Sequence, residues 1–191
     1  MGKSRLEAFS DGVIAIIITI MVLELRVPHG DQLEQLGPMI PVFLSYVMSF
    51  IYVGIYWNNH HHLFHAVHRV NGSILWANLH LLFWLSVVPF VTNWMGENHG
   101  SAWPIALYGV VLMMAGIAYF ILTQALITFH GKDSSIARAV GNDFKGKISV
   151  VIYLLAIGLA FVQPWVSLGL YVLVALTWIV PDRRIEKVLK D

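Results

Sequence analysis

Long apolar runs are the feature that most constrains the fold of this 191-residue chain. Hydrophobic residues make up 58% of the sequence and charged residues only 12%, whereas a soluble domain normally carries about 25% charged residues. A helix needs about 20 mostly apolar residues to cross a bilayer. The composition therefore predicts an integral membrane protein made of α-helices, with no soluble part large enough to fold alone.

Six apolar segments can be read along the chain, and they predict one all-α domain over residues 1–191. The first four are long enough to cross a bilayer, while the last two are short and are separated only by Gln163 and Pro164. We interpret the short pair as two further spans, and an in-plane hairpin is the alternative. The six predicted spans are residues 5–26, 38–58, 73–95, 102–129, 147–162 and 165–181.

The distribution of lysine and arginine predicts the orientation of these spans, because short cytoplasmic loops are rich in both residues. Six spans with both termini in the cytoplasm place every lysine and arginine except Arg26 on the cytoplasmic side. The cytoplasmic set is Lys3, Arg5, Arg69, Lys132, Arg138, Lys145, Lys147, Arg183, Arg184, Lys187 and Lys190.

Several classes of protein are disfavoured by composition. The chain has no cysteine, so disulfides, thiol catalysis and cysteine-based metal sites are excluded. A net charge of +1 without a basic stripe gives no support to a nucleic-acid partner. We find no convincing internal repeat, which argues against an inverted-repeat transporter. No constellation of catalytic residues stands out, and we expect a protein that is not an enzyme.

The first span carries an apolar stripe along one face. At about 100° per residue, the members of this stripe lie within about 40° of Ile16. Thr19 lies about 60° to one side and adds a hydroxyl group. The members of the stripe are Arg5, Phe9, Gly12, Ile16, Ile20 and Leu23.

The opposite face of the first span begins with polar residues. Ser10 and Asp11 lie about 120° and 140° away from Ile16. A carboxylate at membrane depth is expected to have a hydrogen-bond donor or a cation as its partner. The third span offers such a donor at His80, and Asn78 lies on the same segment. We therefore expect Asp11 to be buried and to bond to this segment.

The segment that opens this span, Arg5-Leu-Glu-Ala-Phe9-Ser10-Asp11, resembles the Arg-x-x-x-Phe-Ser-Asp signature of the transmembrane protein 175 family of potassium channels. The resemblance continues through residues 12–25 and into the third span. It implies a single-repeat, prokaryotic homotetramer in the plasma (inner) membrane, with the first helices lining a central pore that conducts K⁺. The chain has no Thr-Val-Gly-Tyr-Gly loop, the usual potassium filter.

The resemblance also implies roles for individual residues. Ile16 corresponds to the narrowest apolar constriction, Thr19 to a hydroxyl layer and Leu23 to a second apolar layer, with Ile20 on the same face. A hydrogen-bond network would hold the helix in place. Its expected members are Arg5, Ser10, Asp11, His80 and Asn78. The implied function is a leak-like potassium channel that needs no cofactor and has its own copies and membrane lipid as partners.

A histidine cluster closes the second span. His61, His65 and His68 follow i, i+4, i+7 spacing and would share one helix face, which suits zinc or nickel. The cluster also suits a proton sensor, and a hydrated helix end is the third interpretation. Zinc bound there would be adventitious. No Asp or Glu lies between Glu34 and Glu97, which argues against a catalytic metal site.

Two other functions remain open alongside the channel. The first is a proton-coupled transporter that uses Asp11, His80 and the histidine cluster. The second is a membrane metal-binding protein built on the histidine cluster. At the far end of the first span, Glu24 gives the pore mouth a negative potential if it faces the pore. The alternative for Glu24 is a solvated helix end beside Arg26.

Overall fold

The computed structural model describes residues 2–141 and 143–179. Within these residues the chain forms seven α-helices and one 3-10 helix, Leu33–Met39, which runs directly into the second α-helix. The α-helices are α1 (Lys3–Leu23), α2 (Ile40–His65), α3 (Gly72–Glu97), α4 (Ala102–His130), α5 (Ser135–Val140), α6 (Phe144–Leu159) and α7 (Pro164–Ile179). The prediction of an all-α protein is confirmed for the described residues.

Four helical segments are long and apolar enough to cross a membrane. They are α1, Leu33–His65, α3 and α4, and they coincide with the first four predicted spans. Helices α6 and α7 contain 16 residues each. They are therefore about 24 Å long at 1.5 Å per residue, which is less than a hydrocarbon core of about 30 Å.

The largest difference from a predicted boundary is at the end of α2, and one predicted boundary lies beyond the described residues. α2 continues to His65, seven residues past the predicted end at residue 58. It continues because His60, Leu63 and Phe64 extend its buried stripe at helical spacing. The predicted end of the last span at residue 181 lies outside the described residues, as do the four basic residues that follow it.

Side-chain caps fix the starts of two helices that matter for the sites below. Asn71 Oδ1 accepts a hydrogen bond from the Ile74 amide at 3.0 Å and starts α3. Asp143 adopts a left-handed backbone with φ of 42°, and its Oδ1 accepts from the Gly146 amide at 3.2 Å to start α6. Such caps satisfy amides that have no partner inside the helix.

The packing order places α1 at one edge of the bundle. α3 packs against α1, α2 and α4, and α4 packs against α6 and α7. α1 packs mainly on α2 and α3, so only one of its faces is covered by its own chain.

Four buried tyrosines join α6 and α7 to the rest of the bundle. Tyr52 of α2 donates to the Tyr171 carbonyl at 2.6 Å, and Tyr153 of α6 donates to the Tyr52 hydroxyl at 3.3 Å. Tyr171 of α7 donates to the Ile105 carbonyl at 3.1 Å. The ring of Tyr108 lies 5.7 Å from that of Tyr171. The Tyr108 hydroxyl lies 3.0 Å from Ser49 Oγ. All four hydroxyls are therefore paired where water is scarce, which stabilises the packing of the short helices.

Candidate functional face of the first helix

α1 has one buried face and one exposed face. Its buried residues are Leu6, Ser10, Ile14, Ile17 and Met21. The predicted apolar stripe lies on the other side, where Ile16 is 60% exposed and Leu23 is 76% exposed. The structure thus leaves the whole stripe, with Phe9, Gly12 and Ile20, free of contacts that would bury it within the subunit.

Thr19 lies on the exposed side of α1 and uses its proton within the helix. Its hydroxyl donates to the Ala15 carbonyl one turn earlier at 2.8 Å. The hydroxyl oxygen retains its lone pairs, since it acts here only as a donor. Those lone pairs lie on an exposed surface that is otherwise apolar, so Thr19 supplies an oxygen beside the Ile16 side chain.

A buried polar chain attaches the other face of α1 to α3 and α2. Ser10 Oγ donates to the Leu6 carbonyl at 2.8 Å and accepts from Asn78 Nδ2 at 2.9 Å. Asn78 Oδ1 lies 2.8 Å from His60 Nε2. Because an amide oxygen only accepts, His60 Nε2 carries the proton. Ser10, Asn78 and His60 are all buried, and each is paired as the membrane interior requires.

The expected network of five residues does not form as one unit. Asp11 is exposed, and its carboxylate accepts from Trp57 Nε1 of α2 at 3.0 Å rather than from His80. His80 Nε2 accepts from Trp84 Nε1 on its own helix at 3.0 Å. Arg5 is exposed at the start of α1 and bonds to none of the other four.

The physical reason for this difference is the helix rotation between neighbouring residues. Successive residues are about 100° apart around a helix, so burying Ser10 against α3 turns Asp11 toward α2. Of the five expected members, the structure brings together Ser10 and Asn78.

Two residues of this region were missed from the sequence, His60 and Trp57. The sequence interpretation singled out His61, His65 and His68 but not the neighbouring His60, which is 2% exposed and packs on Phe64 with ring centroids 4.6 Å apart. Its helical spacing from Tyr52, Val53 and the buried residues beyond it was the available signal. The pairing of Trp57 with Asp11 depends on how α1 and α2 cross, which one sequence does not reveal.

The C-terminal end of α1 is held to the C-terminal end of α3 by polar contacts. Glu24 Oε2 accepts from Asn93 Nδ2 at 3.2 Å, and Arg26 pairs with Glu97 at 3.0 Å. Glu24 is exposed, with Ile20 and Phe90 nearby in a surface pocket. Arg26 therefore pairs with α3 rather than with Glu24, and no cation among the described residues forms an ion pair with the Glu24 carboxylate.

The histidine cluster does not form the predicted three-residue face. His61 and His65 lie on α2 with ring centroids 6.2 Å apart, whereas His68 follows the helix end in a bend. His61 stacks on Trp57 at 6.1 Å. Within residues 2–141 and 143–179, no three His, Cys, Asp or Glu side chains are placed to hold a metal ion.

These features define the class of protein to which the chain belongs. The chain is a multi-pass α-helical membrane protein whose first helix is bound to its own bundle by one face and presents the other face, apolar with a hydroxyl layer, to the outside of the subunit.

Known proteins identify the family within this class. The family model described as Endosomal/lysosomal potassium channel TMEM175 matches residues 5–89. A protein named potassium channel from Chryseobacterium sp. (strain P1-3) is 57% identical over 191 residues, covering 100% of both chains. Another potassium channel, from Streptomyces collinus, is 35% identical over 187 residues and covers 91% of this chain and 90% of its own.

A solved structure has the same fold. The crystal structure of a lysosomal potassium-selective channel TMEM175 homolog from Chamaesiphon minutus superposes with a TM-score of 0.80 at 28% identity, covering 94% of this chain and 97% of that one. The chain belongs to the TMEM175 family.

Proposed function

We propose that the chain is one subunit of a potassium-selective, leak-like channel in which the exposed face of α1 lines the pore. The single observation that carries this proposal is the exposure of Ile16, Ile20 and Leu23 on a helix whose opposite face is fixed to α2 and α3. The names of the relatives, potassium channel and potassium-selective channel, support the choice of ion.

The proposed assembly is a homotetramer with α1 around the central axis. Residues 1–191 form one domain that crosses the membrane six times, with α6 and α7 as short spans in locally thinned lipid. Both termini lie in the cytoplasm, and the membrane is the plasma (inner) membrane of a prokaryote. The bias of lysine and arginine supports this orientation.

The proposed selectivity results from partial dehydration at Ile16. A ring of isoleucine side chains offers no oxygen to replace the water that an ion loses, so passage costs free energy. A larger ion such as K⁺ holds its water less tightly than Na⁺ and loses less. Thr19 lies one turn further along, and its hydroxyl oxygen keeps its lone pairs. Coordination of the ion by this oxygen offsets part of the dehydration cost. Leu23 forms a second apolar layer.

The buried polar contacts set the rotation of α1 and therefore the direction in which Ile16 points. Ser10 is bonded to Asn78 and Asp11 to Trp57, so α1 is attached to two different helices near its start. A rotation of α1 that moved Ile16 out of the pore would leave Ser10 and Asn78 unpaired in an apolar environment, which is costly.

The reversal potential in a planar bilayer tests the proposal. Potassium is placed on one side of the bilayer and sodium on the other. The current through the purified full-length protein is expected to reverse at a potential shifted from zero toward the potassium equilibrium potential. Bilayers that receive the protein after heat denaturation serve as the control. A reversal potential at zero would contradict potassium selectivity, and absence of current above the control would contradict a channel.

A further inference from the structure

A cavity of about 300 Å³ lies inside the subunit, between α2, α4, α6 and α7. Aromatic rings and branched aliphatic side chains form most of its wall, among them Tyr52, Ile55, Tyr56, Phe120, Val150 and Tyr153. An engineered apolar cavity of about 150 Å³ stays dry and is large enough to bind benzene. The cavity in this chain has about twice that volume, and no residue of the fully described helix α1 lines it.

Part of the cavity results from a glycine whose missing side chain is not replaced by a neighbour. Gly109 and Gly116 lie about two turns apart on α4. A Cβ atom at Gly109 would collide with the Tyr171 hydroxyl, so Tyr171 fills the space beside that glycine. A Cβ atom at Gly116 would have one described neighbour within 4 Å, the Tyr56 hydroxyl at 3.7 Å. The space beside Gly116 is therefore left open, and it belongs to the cavity.

The tyrosine hydroxyls around this cavity are already paired with the protein. Tyr56 donates to the Leu112 carbonyl at 3.4 Å, and Tyr119 donates to the Asn59 carbonyl at 3.2 Å. The hydroxyl of Tyr153 is used in the contact between α6 and α2. A buried water needs about two to four polar partners, and these hydroxyls have theirs within the protein. The wall therefore favours an apolar occupant over water.

The polar end of the cavity has no net formal charge among the described residues. Lys147 and Asp143 both line it, and their charges are of opposite sign. Asp143 also caps α6, where its Oδ1 accepts from the Gly146 amide at 3.2 Å. Electrostatic complementarity is what selects between charged partners, and a balanced pair of charges supplies little of it. This end therefore favours neither an anionic nor a cationic ligand.

The wall of the cavity reaches the surface of the bundle. Phe120 of α4 lines the cavity and is 40% exposed. On α6, Val151 next to the cavity-lining Val150 is 54% exposed. In a membrane these surfaces contact lipid, so acyl chains lie directly outside the cavity wall. An empty apolar space is unfavourable because its lining atoms lose dispersion contacts, and an acyl chain that enters restores them.

We propose that this cavity binds one acyl chain of a membrane phospholipid and recognises the chain rather than the charge of the headgroup. The apolar wall and the open space beside Gly116 carry the first part of the proposal. The balance of Lys147 and Asp143 carries the second part. The site lies outside the α1 face that the channel proposal uses, so it holds whether or not the protein conducts potassium.

Native mass spectrometry of the delipidated full-length protein tests both parts. Phosphatidylcholine and phosphatidylglycerol with identical acyl chains are titrated into the protein in separate experiments. Wild type is expected to bind one lipid per subunit, with affinities for the two lipids that agree within about threefold. A preference of about tenfold or more for either headgroup would overturn the second part of the proposal.

A pair of glycine variants tests whether the lipid occupies the cavity. Gly116→Leu places a side chain in the open space and is expected to weaken binding of both lipids by about tenfold or more. Its matched control is Gly169→Leu on α7, because Gly169 is exposed and a Cβ atom there would meet nothing within 4 Å. Both changes replace a glycine inside a helix by leucine, so they share the gain in helix propensity. Gly169→Leu is expected to bind both lipids as wild type does.

Photocrosslinking of wild type locates the chain without any variant. Phosphatidylcholine with a diazirine in the middle of one acyl chain is irradiated with the full-length protein, and adducts are mapped by peptide mass spectrometry. Adducts are expected on residues of the cavity wall such as Phe120 and Val150. The alternative is a lipid that only coats the surface, which would label outward-facing residues of α6 such as Leu154 and Leu155.

The outcomes decide the proposal without any measurement of current. Unchanged binding in a Gly116→Leu protein with wild-type oligomeric state would overturn the cavity assignment, and so would an equal loss of binding in Gly169→Leu. If Gly116→Leu does not fold, the adducts decide: labelling of the wall supports the site, and labelling confined to outward-facing residues overturns it.

Discussion

Asn78 Nδ2 donates a hydrogen bond to Ser10 Oγ at 2.9 Å, and this contact joins α3 to the buried face of α1. The same amide group reaches His60 on α2 through its oxygen at 2.8 Å. One side chain thus links three helices at one depth in the bundle. Because Ser10 and the exposed Ile16 lie on different faces of α1, this link also determines which residues α1 presents outward.

Replacement of Asn78 is expected to destabilise the fold. Asn78→Leu leaves His60 Nε2 without its acceptor in a buried site, which costs about 1–3 kcal/mol. The thermal midpoint of the detergent-solubilised protein should fall. Asn58→Leu is the matched control, because Asn58 is half-buried on α2 and has no side-chain hydrogen bond within the described residues. Equal midpoints for the two variants would contradict the link.

The pairing of Asp11 with Trp57 can be separated from the pairing with His80 that the sequence suggested. A double-mutant cycle of Asp11→Ala with Trp57→Phe should give a coupling free energy of about 0.5–1.5 kcal/mol, since an indole donor and a carboxylate acceptor are lost together. The cycle of Asp11→Ala with His80→Ala should be additive within about 0.5 kcal/mol. Both cycles are measured through unfolding free energies. A larger coupling free energy for Asp11 with His80 than for Asp11 with Trp57 would contradict the observed pairing and favour the one expected from the sequence.

The proposed tetramer brings the four copies of Leu23 together around the axis. The native chain has no cysteine, so single-cysteine variants report one position each. Leu23→Cys is expected to form disulfide-linked dimers under mild oxidation in membranes, as seen on a nonreducing gel. Leu154→Cys on α6, whose native leucine is 55% exposed, should stay monomeric. Crosslinking at residue 154 without crosslinking at residue 23 would require a different arrangement of subunits.

Glu24 is expected to raise the local potassium concentration at the pore mouth. Its carboxylate is exposed and is bonded to an amide rather than to a cation, so its charge acts on approaching ions. Glu24→Gln should lower single-channel conductance on the order of twofold at low salt, and the difference should vanish near 1 M salt, where the Debye length is about 3 Å. Asp133→Asn is the control. A deficit that persists at high salt would argue for a steric effect.

Much of the architecture could be predicted because it depends on local pattern. The apolar runs located the first four spans, and the angular positions of Ile16, Ile20 and Leu23 placed them on a face opposite Ser10, as the structure has them. Hydrophobic periodicity is a property of one helix, and it can be read without knowledge of the neighbouring helices.

The partners of polar side chains could not be predicted in the same way. Whether Asp11 meets His80 or Trp57 depends on the crossing of α1 with α2, and one residue of helix rotation decides it. His60 was hidden among exposed histidines, although its spacing matched the buried stripe of α2. The cavity between α2, α4, α6 and α7 has no signature in the sequence, because it results from the packing of four helices.

The reversal potential of Ile16→Asn tests most directly whether the exposed face of α1 selects the ion. Wild type, Ile16→Asn and Val22→Asn are compared in planar bilayers with potassium on one side of the membrane and sodium on the other. Val22 is 44% exposed but lies about 120° from Ile16 around α1. We predict that the reversal potential of Ile16→Asn moves toward zero while Val22→Asn keeps the wild-type value. An unchanged potassium preference in Ile16→Asn would contradict the assignment of Ile16 as the selective constriction.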